Sequence, residues 1–198
     1  TILCLIPAVL DRGQPTLNNY IPIIIDDLFY YGLAMIAIGT LAAGYKLLVT
    51  ENHNLDLRGA FILLIFVIIA IIISGMQLKG KPLDYDYNEK LVWGGGHIMQ
   101  FFNVTLLISA WSVLGNISRS GIFFRGALLW LVLSGFVSLG IYFLWPASHE
   151  MQTQAFTNMQ YASGISILIL LPALIGVMSK GSLNLFFRDI RQFALWSS

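Results

Sequence analysis

The sequence predicts an all-α, polytopic transmembrane helix bundle with five full spans and an N-terminal helical stump, forming one membrane-embedded domain over residues 1–198. Three observations predict it. The chain is 57% apolar and only 11% charged, with mean hydropathy +0.77, whereas a soluble domain carries about 25% charged residues. Five apolar stretches approach the roughly 20 residues that a helix needs to cross a hydrocarbon core of about 30 Å. Short polar or turn-rich segments separate them.

The same composition removes several function classes. A net charge of +1 supplies no basic field for nucleic acid. The single Cys4 excludes an internal disulfide framework and a cysteine-based metal cluster, and reads as a small buried apolar residue.

Thr1–Leu10 is apolar but too short to span, and has no basic n-region or cleavage site, so it reads as the end of a helix whose beginning is missing. The abrupt stop after Phe193 makes both ends read as cut. Asp11 to Asp27 is a turn-rich connection containing Gly13, Pro15, Asn18, Asn19 and Pro22, with Ile21–Ile25 expected along the interface beside Tyr20. The first full span is 28–50. Its small residues Gly32, Gly39, Ala42, Ala43 and Gly44 suit close helix approach on several sides. A polar loop over 51–58 contains His53, read as solvated. The second span, 59–78, is uncharged and offers no chemistry. A polar connection to Lys90 follows, with Tyr85 and Tyr87 suited to an interface belt. The third span is 91–115 and the fourth is 126–145, ending at Trp145-Pro146. The fifth, 153–179, begins with the polar cluster Gln152 to Tyr161, which suits either a cofactor or cavity edge or a helix start outside the hydrocarbon. The five tryptophans mostly suit interface anchoring.

Loop charge sets an expected orientation. One side holds Arg12, Lys79, Lys81 and Lys90; the other holds Lys46, Arg58, Arg119, Arg125, Lys180, Arg188 and Arg191. The richer side is expected to be cytoplasmic. The third span then runs inward, with His97 about two turns below the outer surface.

That span carries the candidate chemistry. His97 is the one histidine well inside an apolar run, preceded by Gly94-Gly95-Gly96 and followed by Gln100, about 60° away around the helix. An imidazole at membrane depth is costly unless used. One ring nitrogen could bind a transition metal or haem iron while the other meets a supporting acceptor. The glycines would admit either a planar cofactor or another helix. The competing reading is a histidine bonded to a neighbouring helix, with the glycines serving helix packing alone. Gln100, Asn103, Thr105, Ser109 and Ser112 are expected to make interhelical hydrogen bonds more often than a proton path. His149 reads as a solvated loop residue, with metal ligation as its minor alternative. The glycine triplet is no phosphate loop, since it lies in a helix and lacks the following lysine, and no Ser–His–Asp arrangement can be read from spacing.

From Trp93 to Gln100 the chain resembles the heme–copper oxidase superfamily, in particular subunit I and its nitric oxide reductase relatives. There the sixth helix runs inward and presents a histidine, after a tryptophan-containing segment, to the non-haem metal beside the high-spin haem. The resemblance covers roughly residues 28–179 as helix order plus this one motif, spanning the end of the third helix through the eighth. It implies haem, with copper or non-haem iron, and reduction of dioxygen or nitric oxide using electrons from cytochrome c or quinol. It implies His97 as metal ligand, Gly95, Gly96 and Gln100 as cofactor-binding positions, and a bacterial inner (cytoplasmic) membrane location. The implied partners are the bilayer and other membrane helices or subunits.

The pattern departs from the family at defined places. The seventh helix's paired histidines correspond to Gly140 and Ile141, and Phe101 stands where some oxidases have a tyrosine and nitric oxide reductases a glutamate. A degenerate member or a fragment is therefore within the reading. The haem-ligand histidines of the second and tenth helices would fall outside this sequence. The alternatives are a non-enzymatic scaffold subunit of a respiratory or transport complex, and a b-type cytochrome relay pairing His97 with another histidine.

Overall fold

A computed structural model describes residues 2–16, 23–50, 55–114, 117–119 and 121–179. The elements run α1 (Ile2–Val9), β1 (Gln14–Thr16), β2 (Ile23–Ile25), α2 (Asp27–Thr50), α3 (Leu55–Gln77), α4 (Tyr85–Leu114), α5 (Ile122–Leu144), α6 (Glu150–Gln160) and α7 (Ala162–Ser179). Five helical stretches are long and apolar enough to cross a membrane: α2, α3, α4, α5, and α6 with α7 taken together over Glu150–Gly176. The helical class and the number of candidate spans thus agree with expectation. His53, Tyr20, Lys180, Arg188 and Arg191 lie outside the described residues.

The helix starts differ from hydropathy because polar first turns are stabilised locally. α3 begins at Leu55 rather than Gly59, with Asp56 in its first turn, where a carboxylate meets the positive end of the helix dipole. α4 begins at Tyr85 rather than Leu91. Asp84 Oδ1 accepts from the Tyr87 backbone N–H at 2.9 Å, which satisfies an otherwise orphaned first-turn donor. Lys90 donates to Asp86 at 2.6 Å one turn apart. Half of the segment expected as a loop, Tyr85 to Lys90, is therefore helix, and Asn88 within it is buried. α5 begins at Ile122 rather than Gly126, and its last turn closes with Trp145 N–H on Ile141 O at 2.9 Å.

The expected single helix over 153–179 is two helices meeting at Tyr161. Trp130 of α5 donates to Ala162 O across this junction at 2.7 Å, so its indole N–H serves the interior rather than an interface. A second departure is the antiparallel pairing of β1 with β2, in register Gln14↔Ile25, Pro15↔Ile24 and Thr16↔Ile23. Gly13 precedes it with φ +76°, and a side chain there would meet Ile25 O at 2.6 Å; the left-handed backbone and the close approach both call for glycine. Arg12 and Asp26 close the pair's base with an ion pair at 3.1 Å.

The core lies where α3, α4 and α5 meet, around Leu63, Val67, Ile98, Phe101, Ala127 and Leu131, with Phe156 and Leu170 of the last two helices against it. Gly135 of α5 brings α3 close, because a β-carbon there would strike Leu63 and approach Phe66 at 3.3 Å. α2 packs on α1, where a β-carbon at Gly32 would strike Cys4, and among the described residues buries Phe29 and Gly32 alone. Large apolar side chains such as Ile38, Phe136, Phe143 and Leu168 point outward, which fits helices bathed in lipid.

At one end of the bundle, buried Asp56 pairs with Arg119 at 3.7 Å, and Arg119 Nε donates to Ser112 Oγ at 3.3 Å. This ties the α4–α5 connection to the start of α3. Two substitutions test the packing. Gly135→Leu should destabilise the bundle by about 1–3 kcal/mol through overpacking. Gly39→Ala, with no atom within 4 Å of the added carbon, should be neutral or stabilise by up to about 1 kcal/mol. Denaturant titration of the detergent-solubilised variants, followed by far-UV circular dichroism, reads both.

Candidate functional site

His97 is 3% exposed and lies on the inner face of α4. Its Nδ1 sits 2.9 Å from the Trp93 carbonyl. A carbonyl can only accept, so Nδ1 carries the proton, and in neutral imidazole Nε2 then holds the lone pair. The ring lies between two aromatics, 5.0 Å from the Trp93 ring and 6.0 Å from that of Phe156. Phe156 packs edge-on to Tyr142 at 5.3 Å, and the Tyr142 hydroxyl shares a 2.8 Å hydrogen bond with Ser74 of α3. Trp93 Nε1 donates to Thr153 O of α6 at 3.4 Å. One histidine thus lies at the junction of α4 with α6, joined to α3 and α5 through Phe156, Tyr142 and Ser74.

The glycines make this junction possible. A β-carbon at Gly94 would collide with the Tyr142 hydroxyl and lie 2.7 Å from Phe156 Cζ. One at Gly95 would lie 2.8 Å from Ile71 Cγ1 and 3.3 Å from Val67 O. Of the two visitors expected at these positions, a planar cofactor or another helix, the occupant at Gly94 and Gly95 is another helix. Gly96 and Gln100 are only half-buried. The helix turns about 160° between the directions of Gly95 and His97, so the four expected site residues do not share one surface.

The other polar residues are also placed. Thr105 Oγ1 donates to Phe101 O at 2.9 Å, Ser109 Oγ to Thr105 O at 2.8 Å, and Ser112 Oγ to Ser109 O at 2.7 Å. Each hydroxyl donates to its own helix, because a Ser or Thr side chain reaches the carbonyl one turn back, and Ser112 Oγ also accepts from Arg119 Nε. Asn103 is exposed. His149, expected as a solvated loop residue, is exposed but caps α6, its Nδ1 accepting from Met151 N–H at 3.1 Å. The polar start of the fifth span buries Gln152 and Phe156, one turn apart. Gln152 Nε2 donates to Trp145 O at 3.3 Å. Gln77 donates to Tyr142 O at 3.3 Å and accepts from Ala147 N–H at 2.7 Å, closing the end of α5.

Tyr142, Ser74 and Phe156 were not legible as site residues. Phe156 had a signal, since it follows Gln152 by four positions as the one aromatic between Gln152 and Gln160. At the positions matched to the superfamily's histidine pair, Ile141 is buried, and a β-carbon on Gly140 would have no atom within 4 Å. The neighbouring Tyr142 packs its hydroxyl against Gly94 of α4. Among the described residues, no three His, Cys, Asp or Glu side chains converge on one point.

No protein-family profile matches the chain, and no solved structure matches it. It is 32% identical over 126 residues to an uncharacterized protein of Aquifex aeolicus, covering 59% of this chain and 32% of that protein. It is 26% identical over 176 residues to an uncharacterized protein of Rickettsia prowazekii, covering 80% of this chain and 34% of that protein. The chain spans about a third of the length of these relatives.

Phe156 is fully buried between His97, Tyr142 and Gly94. Phe156→Ala should therefore cost about 3–5 kcal/mol, the usual effect of a large aromatic cavity. Phe156→Leu should cost clearly less. Thermal unfolding followed by tryptophan emission, with Trp93 as a local reporter, gives the comparison.

Proposed function

We propose that this chain is part of a heme–copper-oxidase-like subunit of a respiratory electron-transfer system, integral to a bacterial inner membrane. Within it, the His97 region serves as a helix junction in place of a metal centre. The helix order and the Trp93-to-Gln100 motif support the family reading. The observation that carries the altered role is the enclosure of His97 by Trp93 and Phe156, with Nδ1 on a backbone carbonyl.

The residues present do not fit a three-histidine copper or non-haem iron site. Gly140 offers no side chain and Ile141 an apolar one, while Gly94 and Gly95 are covered by neighbouring helices. His97 keeps the tautomer that a metal-binding histidine uses, with Nδ1 held and the lone pair on Nε2, but one ligand does not make a site. Haem, as the resemblance implies it, would be held by histidines on other helices of the full-length protein, and its chemistry would be electron transfer. Cytochrome c or quinol would be the donor.

The second reading is a non-enzymatic scaffold subunit. It is favoured by the same enclosure, since Trp93, Tyr142 and Phe156 act there as packing groups.

The optical spectrum of the purified full-length protein separates the two. A Soret band with reduced α-band features is the expected result, and colourless protein turns the assignment to the scaffold. His97→Ala should leave haem and copper content unchanged and lower stability by about 2–5 kcal/mol through the cavity left beside Trp93 and Phe156. Loss of copper or iron in that variant would restore His97 as a ligand and overturn the junction role.

A further inference from the structure

α2 and α3 do not close on each other along their whole length. At Gly44 they touch, and a β-carbon there would lie 2.7 Å from the Phe61 ring. Beside this contact is a cavity of about 240 Å³ whose walls include Thr40 and Leu47 of α2, Leu64 of α3 and Leu106 of α4. A second cavity, of about 430 Å³, shares Leu48 and Phe61 with it and opens past Tyr45 and Val49 to Arg58. Together they form an apolar groove that starts at a guanidinium and runs inward to α4.

Two arginines, Arg119 and Arg58, stand at this end of the bundle, and both have partners within the protein. Arg119 is engaged by buried Asp56. Arg58, two residues beyond Asp56, is exposed and lines the groove. Its five N–H donors can hold a phosphate beside another partner, and a planar guanidinium suits two phosphate oxygens at once. Lys46 of α2 is exposed near the same end. Basic residues beside a gap between membrane helices match an anionic headgroup.

We propose that this groove binds one anionic glycerophospholipid of the surrounding bilayer, its phosphate at Arg58 and one acyl chain along Phe61 and Leu64 toward Leu106. The acyl chain fills the space between α2 and α3 beside the Gly44–Phe61 contact. The proposal needs only membrane insertion and stands apart from the oxidase reading.

The test uses the full-length protein in nanodiscs of phosphatidylglycerol or phosphatidylcholine, released into mild detergent and weighed by native mass spectrometry. Wild type should retain one phosphatidylglycerol and shed phosphatidylcholine. Arg58→Gln should weaken retention about fivefold, the effect of one basic residue beside an anionic surface, while Arg58→Lys should largely keep it. Ala43→Phe, which fills the groove from a lining position, should abolish retention with the charge intact. Circular dichroism confirms that each variant is folded. Equal retention of both lipids, or full retention in Arg58→Gln or Ala43→Phe, overturns the site.

Discussion

The close approach of α4 to its neighbours at Gly94 and Gly95 governs the arrangement around it. On one side the missing side chain admits Tyr142 and Phe156; on the other it admits Ile71 and the Val67 carbonyl. Two consecutive glycines differ by about 100° around a helix, so the pair opens two faces to two neighbours. That geometry lets α3 press on one side of α4 while α5 and α6 close on the other. His97, about one turn further along, is then buried as a consequence of the approach.

Between apolar helices in lipid, burial supplies little net drive, so packing and hydrogen bonds carry the association. The distribution of polar contacts follows. Ser74 with Tyr142, Gln77 with the end of α5, and Trp93 and Trp130 on carbonyls of α6 and α7 each join two elements. Tyr30 donates to Asn88 at 2.6 Å and gives the loosely packed α2 a fixed point on α4. Asp56 is the exception: its Oδ1 is buried without a hydrogen-bond partner, although the carboxylate faces Arg119. A buried carboxylate beside a cation holds geometry more than it adds stability, which suits its place between α3 and the α4–α5 connection.

The surroundings of His97 are built mainly of aromatic groups. A metal centre needs several ligands converging from more than one helix, and here the converging groups are aromatic rings and a phenol. Phe101 continues this pattern as a fully buried core residue one turn below His97. The Trp93-to-Gln100 segment of α4 thus sits in surroundings suited to joining helices.

Composition and hydropathy by themselves determined the helical class, the number of candidate spans and the singular position of His97, because lipid admits few ways to satisfy a backbone. They could not set the helix starts at Leu55 and Tyr85. The start at Tyr85 depends on a single carboxylate, Asp84, which hydropathy counts as loop. Nor could they show the break at Tyr161 or the β1–β2 pair, whose partners lie far from them in sequence or in segments too short to carry a period. Only the tertiary structure decided what the glycines next to His97 are for. A missing β-carbon permits a close neighbour without naming it, and here the neighbours are Ile71, Tyr142 and Phe156, from three different helices.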